Sequence, residues 1–381
     1  MKKHSKAEAK KRQQARTRAA WLEELGGYRA ERLVIGIDLG DRKSTFCVRK
    51  RELQEMVWEA EVTTTPAGLR ETFDKWARQR FVVETGTHSR WVAQLLKRLG
   101  HEVIVGNSRK LKLITENDSK SDKVDARLLT KLGCLGVEWL HPVYQRSKEV
   151  QTDLVLIKAR EALVELRTKL VNLLRGLVKS FGLRLPACDA KYFLQRAAAE
   201  IPEALQRNVG GVLAELQEQL HLYDCMVEHV SETRYGEATR RVRQIKGVGP
   251  LTALAFVLTI EDPARFQHSR DVGPYLGLVP RRRQSGKRDP QCGITRAGDV
   301  LLRKLLVNCA HHLLGPFGGE GDLRQWGLGL MAAFAQAGQS GGRKRAAAAV
   351  ARKLAVLMHR LWVSGEPFEP ARSAIKSAAA A

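Results

Sequence analysis

Apolar positions in the first third of the chain come in short runs separated by polar breaks. Leu33-Val34-Ile35-Gly36-Ile37 is closed by a carboxylate, Asp38, and Ser44-Thr45-Phe46-Cys47-Val48 is a second β-like run. The turn Leu39-Gly40-Asp41 joins them, so the spacing predicts a hairpin, with a third strand over 54–62. Residues 66–79 open with Pro66 and carry helical periodicity. Phe81-Val82-Val83 reads as a buried strand and again ends in a carboxylate, Glu84. A helix over 91–99, a strand over 102–105 and a helix over 122–132 follow. An antiparallel meander followed by alternating strand and helix predicts an α/β layer fold across residues 32–147.

The period changes at residue 148. Leu156, Leu163, Leu166, Leu170, Leu173 and Leu177 recur at heptad-like spacing, and Gly182 and Pro186 stop the run. Leu213, Leu216, Leu220, Tyr223 and Val227 repeat the pattern. Two such helices over 148–239 predict an antiparallel coiled-coil hairpin or a dimerisation arm, with a plain intramolecular bundle as the alternative. Residues 240–368 read as a mostly helical, basic domain ending in an amphipathic helix over 346–362. The glycines of 312–341 predict an irregular connection there. Residues 1–31 form a basic arm, and 369–381 a tail.

Charge narrows the partner. The 381 residues hold 65 Lys and Arg against 41 Asp and Glu, a net +24, which points to a polyanion, with nucleic acid the default. Hydrophobic content of 44% supports globular domains, and no apolar run is long enough for a membrane span. The basic N-terminus has no apolar stretch and is not expected to be a secretory signal. Six cysteines stand apart with no CxxC pair, which disfavours a zinc ribbon or disulfide framework and fits a reducing cytoplasm, close to the nucleoid.

Three constellations carry candidate chemistry. Asp38 and Glu84 each close a β-like run, and Asp122 and Asp125 lie one turn apart on one helical face. Clustered carboxylates repel unless a cation neutralises them, and a hard oxygen set suits Mg²⁺ or Mn²⁺. Unrelated surface acids are the alternative. Second, Ile245-Lys246-Gly247-Val248-Gly249-Pro250 is a glycine turn leading into a helix, like the phosphate-gripping turn of helix-hairpin-helix motifs, or else an ordinary turn. Lys246, Gly247 and Gly249 are its candidate phosphate contacts. Third, Ser285 sits in a loop with Arg281, Arg282, Arg283, Lys287 and Arg288, with Arg296 beyond. Such cations would steady a phosphate in line with the hydroxyl; a serine that merely hydrogen-bonds phosphate is the plainer reading. The segment 281–304 carries eight Lys and Arg without aromatic stacking partners, so it is expected, like the basic arm, to contact mainly phosphates. No GxxxxGK[ST] loop is present, which disfavours an ATP-driven machine.

The ordered series IGIDLGDRKS, VVETG, SDKVDA, REALVELRTKLVNLLRGLVKSFG, IKGVGPLTA and YLGLVPRRRQSGKRDPQCGITRAGD resembles the insertion-sequence 110 family of transposases, related to Piv-type invertases, over about residues 33–368. The resemblance implies a RuvC-like, RNase H-like domain whose DEDD acids fall on Asp38, Glu84, Asp122 and Asp125. It implies a coiled-coil segment and a C-terminal transposase domain with a nucleophilic serine at Ser285; Gln284 stands where family members often carry a second serine. It also implies DNA as substrate, a bridge RNA that pairs with target and donor DNA, and a homo-oligomer (dimer or tetramer). A metal-only RuvC-like nuclease and a non-catalytic nucleic-acid binder are the alternatives.

Overall fold

The structure is a computed structural model that describes residues 33–52, 54–111, 121–286, 288, 290 and 292–371. The predicted basic arm, most of the predicted tail and Lys287 lie outside the described residues. The chain divides into two compact units after Gln145.

The first unit is a five-stranded sheet. Strands β1 (Leu33–Asp38), β2 (Lys43–Lys50), β3 (Met56–Thr63), β4 (Arg80–Glu84) and β5 (Glu102–Gly106) lie in the order β3-β2-β1-β4-β5. β1, β2 and β3 are an antiparallel meander, as expected; β4 and β5 add in parallel with β1. Side chains alternate across a strand, and here the alternation separates two cores. Leu33, Ile35, Ile37, Phe81 and Val83 pack against helices α1 (Pro66–Phe73) and α2 (Ser89–Arg98). Val34 and Val82 pack on the other face, against Leu129 and Leu132 of α3 (Asp122–Leu135). α1 ends at Phe73, well short of the predicted 79. The chain turns there so that Trp76 is buried, edge-on to Phe73 at 5.2 Å and stacked on Trp58 at 6.2 Å. Burying a large ring outweighs two more turns of exposed helix.

α3 comes unusually close to the sheet at Gly36. The Gly36 N–H donates to Thr130 Oγ1 at 3.0 Å, and that hydroxyl lies 3.1 Å from the Cys47 carbonyl oxygen. A Cβ on Gly36 would stand 2.4 Å from Thr130 Oγ1 and 2.5 Å from both the Ala126 carbonyl oxygen and the Thr130 nitrogen. The missing side chain is the seat of the helix.

The second unit is helical: α4 (Lys148–Leu177), α5 (Gly211–Thr233), α6 (Gly236–Arg243), α7 (Pro250–Ile260), α8 (Val300–Leu313), α9 (Asp322–Gln336) and α10 (Gly342–Ser364). α7 is buried at every residue from 252 to 260. Its core also takes in Val150, Leu154 and Ile157 of α4 and Val227 of α5. The base of the 148–239 segment is therefore continuous with the C-terminal core, while Val171, Leu174, Phe193 and Leu213 form a small second core at the other end of α4.

Two expectations change here. α5 buries Leu213, Leu216, Leu220 and Val227 as its period requires. α4 instead buries Val150, Leu154, Ile157, Val171 and Leu174, a seam offset by one residue from the predicted leucines, and leaves Leu166, Leu173 and Leu177 exposed. Polar pairs between the helices fix that face: Arg160 Nε donates to Asp224 Oδ1 at 2.5 Å, and Arg167 to Gln217 at 3.0 Å. The glycine-rich stretch 312–341 is not irregular throughout, since it contains α9. Gly327 is a point of approach within that helix, because a Cβ there would meet Val350 at 2.6 Å and Leu314 at 2.7 Å.

Candidate functional site

The acids come together through register. Ile37 lies opposite Val83 in the parallel β1–β4 pair, so Asp38 and Glu84, each one step further, stand at adjoining strand ends. This is the carboxyl edge of the parallel part of the sheet, where open α/β sheets place their ligands. Val34 and Gly36 face α3, and so does Val82; by the same alternation Asp38 and Glu84 face α3 as well. Along α3, Gly133 sits over Val34 and Val82, and Thr130 over Gly36. The helix therefore runs against β1 and brings its first turn to the Asp38 end. Asp125 is 6% exposed there. Asp122, one turn earlier, is exposed. The Ser121 hydroxyl caps the helix by accepting from the Val124 N–H, and the first-turn acids suit the positive end of the helix dipole.

Three of the four acids thus share one edge and one face, with Asp122 exposed at the start of the same helix. The donors are all carboxylate oxygens, the chemistry of a hard divalent cation. Among the described residues, no group of three or more His, Cys, Asp and Glu side chains is gathered closely enough to hold a metal ion.

Ser285 lies in the other unit, at the tip of a hairpin. Its N–H donates to the Arg288 carbonyl at 3.0 Å, and the Arg288 N–H returns a bond of the same length. The turn between them needs a left-handed residue, and Gly286 supplies φ +57°. Arg281, Arg282, Arg283 and Arg288 are exposed around the serine, which is itself exposed, and so is Arg296. The hairpin is closed at its base by the Pro280–Ile294 bridge. Below that, Gly277 and Gly298 bring two backbone segments together: a Cβ on Gly277 would lie 2.3 Å from Ala297 backbone atoms, and one on Gly298 2.2 Å from the Tyr275 oxygen. Arg303, nearly buried, donates to the Leu276 carbonyl at 3.0 Å and the Ala297 carbonyl at 2.6 Å. Sequence reading missed this anchor; its signal was the paired glycines of YLGLVP and TRAGD.

The second constellation, the glycine turn, is a tight turn between α6 and α7. Ile245 and Val248 are buried, Val248 N–H donates to the Ile245 carbonyl at 3.0 Å, and Gly247 takes φ +95°. Lys246 and Gly249 are left exposed at the start of α7.

Comparison with known proteins gives this geometry its class. Residues 35–182 match the DEDD transposase domain of IS110-type elements, and residues 239–319 match the transposase IS116/IS110/IS902 family. A putative transposase, y4pF/y4sB, of Sinorhizobium fredii (strain NBRC 101917 / NGR234) is 30% identical over 297 residues, covering 75% of this chain and 73% of the relative. The transposase for insertion sequence element IS1111A of Coxiella burnetii is 30% identical over 262 residues, 66% of this chain and 68% of its own. The transposase for insertion sequence element IS1328 of Yersinia enterocolitica is 26% identical over 295 residues, 73% and 82% respectively. The chain is a transposase and belongs to the IS110 family. DNA is the substrate of such an enzyme, and the DEDD domain points to a divalent metal ion. No helix among the described residues is long and apolar enough to cross a membrane.

Proposed function

We propose that this transposase cuts and rejoins DNA strands with Ser285 as nucleophile and Asp38, Glu84, Asp122 and Asp125 as the acids of an RNase H-like (RuvC-like) domain. The observation that carries the reading is the placement of Asp38 and Glu84 at adjoining parallel strand ends, on the face that α3 covers with Asp125. The four acids would hold Mg²⁺ or Mn²⁺, which when bound supplies Lewis-acid neutralisation of the scissile phosphate. The Ser285 oxygen attacks phosphorus; its proton leaves as the new P–O bond forms, and the displaced DNA oxygen takes one up. The phosphoserine link conserves the phosphodiester bond energy. A free DNA hydroxyl then attacks the same phosphorus, loses its proton and releases the serine. Arg281, Arg282, Arg283, Lys287 and Arg288 stabilise the developing charge, while Lys246, Gly247, Gly249 and Arg296 hold phosphates elsewhere along the strand.

Site choice is delegated to a bridge RNA, so the protein grips backbone while base pairing reads sequence. Strand exchange needs more than one active site, so the enzyme works as a homo-oligomer, in the cytoplasm at the nucleoid. The test is Ser285→Ala on a suicide DNA substrate. The covalent adduct and strand cleavage are lost while nucleic-acid binding stays. Cleavage that survives the substitution replaces this reading with a metal-only nuclease. Sequencing RNA that copurifies with the co-expressed element tests the guide, and specific recombination by RNA-free protein refutes it.

A further inference from the structure

A cavity of about 1490 Å³ opens beside the serine hairpin, entirely within the helical unit. Its walls are the hairpin arms, at Pro280, Arg281 and Arg282, and the facing sides of α9 and α10. Small-molecule pockets run to roughly 300–1,000 Å³, so this one has room for a length of polymer. Two features define its chemistry. Eight Lys and Arg line it against two acids, Asp322 and Glu369, so the charge of its lining favours an anion. Between those charges lie aromatic faces, Trp326 and Phe334 of α9, with Lys353 Nζ 3.6 Å from the centre of the Trp326 ring and Arg345 Cζ 5.9 Å from that of Phe334. Trp326 is 38% exposed, and Gly327 beside it seats α9 against Leu314 and Val350, which fixes where the ring stands. The basic segment near Ser285 shares this cavity with rings from a helix some 40 residues further on, which its own sequence does not show.

A duplex offers a protein phosphates and groove edges, and its base faces are stacked away. Aromatic faces interleaved with cations instead suit unstacked bases, whose π-faces stack on the rings while the backbone follows the charge. We propose that this cavity binds single-stranded DNA: the unpaired nucleotides next to the phosphate delivered to Ser285 lie across Trp326 and Phe334. Lys353 moves from the ring face to a phosphate as the base takes its place. Arg281 and Arg282 belong to both the hairpin and the cavity, so they join the strand's grip to the position of the serine. The assignment rests on Ser285 as nucleophile only for which nucleotides are bound; the preference for unpaired strand stands on the cavity.

The test reads binding without cleavage, in the Ser285→Ala protein. Fluorescence anisotropy measures affinity for an oligothymidylate of about twelve nucleotides and for a duplex of similar length. Trp326→Ala is expected to weaken single-strand binding roughly 5- to 100-fold with duplex binding unchanged, and Trp326→Tyr to restore it. Should Trp326→Ala fail to fold, photocrosslinking of 5-iododeoxyuridine oligonucleotide to the Ser285→Ala protein gives the same answer by mapping to Trp326 or Phe334. Unchanged single-strand affinity, or crosslinks only elsewhere, overturns the proposal even where Ser285 proves to be the nucleophile. Unchanged affinity together with an altered assembly state overturns it in favour of a protein segment as the occupant.

Discussion

Gly36→Ala is the sharpest test of how the acid edge is built. Gly36 has an ordinary negative φ, so alanine is allowed by the backbone and even gains about 0.4–1 kcal/mol from a stiffer unfolded chain. The damage is steric. The new methyl would lie 2.5 Å from the Ala126 oxygen and the Thr130 nitrogen, where ordinary contact begins at 3.4 Å. Both are helix backbone, so no side chain can swing away and α3 must retreat by about 0.9 Å. Overpacking of this kind costs about 1–3 kcal/mol. The retreat also stretches the bond from the Gly36 N–H to Thr130, and a buried donor left unsatisfied costs about 1–3 kcal/mol more. Less the entropic gain, the net loss is about 1–5.5 kcal/mol, a fall in melting temperature of at least ~4 °C for a domain of this size. Because α3 carries Asp125, a displacement of about 1 Å is expected to reduce DNA cleavage about 100-fold even below the new melting point. Differential scanning calorimetry and a strand-cleavage assay at 20 °C and 37 °C separate the two effects. A variant with both melting temperature and cleavage within error of the parent refutes the claim that the bare backbone of Gly36 sets the helix position.

Arg303→Met should release the hairpin base, leaving the Leu276 and Ala297 carbonyls without that donor at about 1–3 kcal/mol each; limited proteolysis within 279–295 should accelerate while α7 stays protected, with Arg303→Lys intermediate. Burial pushes the imidazoles of His101 and His359 below the usual histidine range, so each stays neutral in the fold while the unfolded chain takes up a proton near pH 6.5. Stability should therefore be full above that pH and fall as pH drops below it, by at most about 1.4 kcal/mol per pH unit per site, and His359→Gln should flatten the dependence in calorimetry of the helical unit. Leu166 and Leu173 are 44% and 47% exposed, so changing both to Lys should leave the melting temperature within about 2 °C yet abolish the oligomer in light scattering, if α4 forms the subunit contact. An unchanged assembly state removes α4 from that role.

The strands were legible because a buried strand needs little beyond a short apolar run with turn residues at its ends, and Leu33–Asp38 and Arg80–Glu84 have both. Their terminal carboxylates were readable for the same reason. What the local pattern could not carry was the partner of Gly36, which lies 94 residues away and shows only as a glycine inside an apolar run. The α4 seam was misplaced by one residue because its middle is polar: Arg160 and Arg167 face α5 where a leucine count looks for leucines. α9 was missed because glycine at a close helix crossing and glycine in a loop look alike until Leu314 and Val350 are seen against Gly327. The serine loop was visible by its charge, whereas the aromatic wall beside it comes from a helix that composition had marked as irregular.

The Gly36–Thr130 contact also sets an order of events in synthesis. β1 is the first strand of its domain to leave the ribosome, and the helix that completes the acid edge is the last. At ~5–20 residues per second, Thr130 follows Gly36 by about 5–20 s. For that interval the nascent domain has strands whose acids face no helix. Its closing contact is among the longest-range pairings of the sheet unit and forms slowly for that reason. Chains released before residue 130 lack the Gly36–Thr130 contact, so they cannot seat that helix on the sheet.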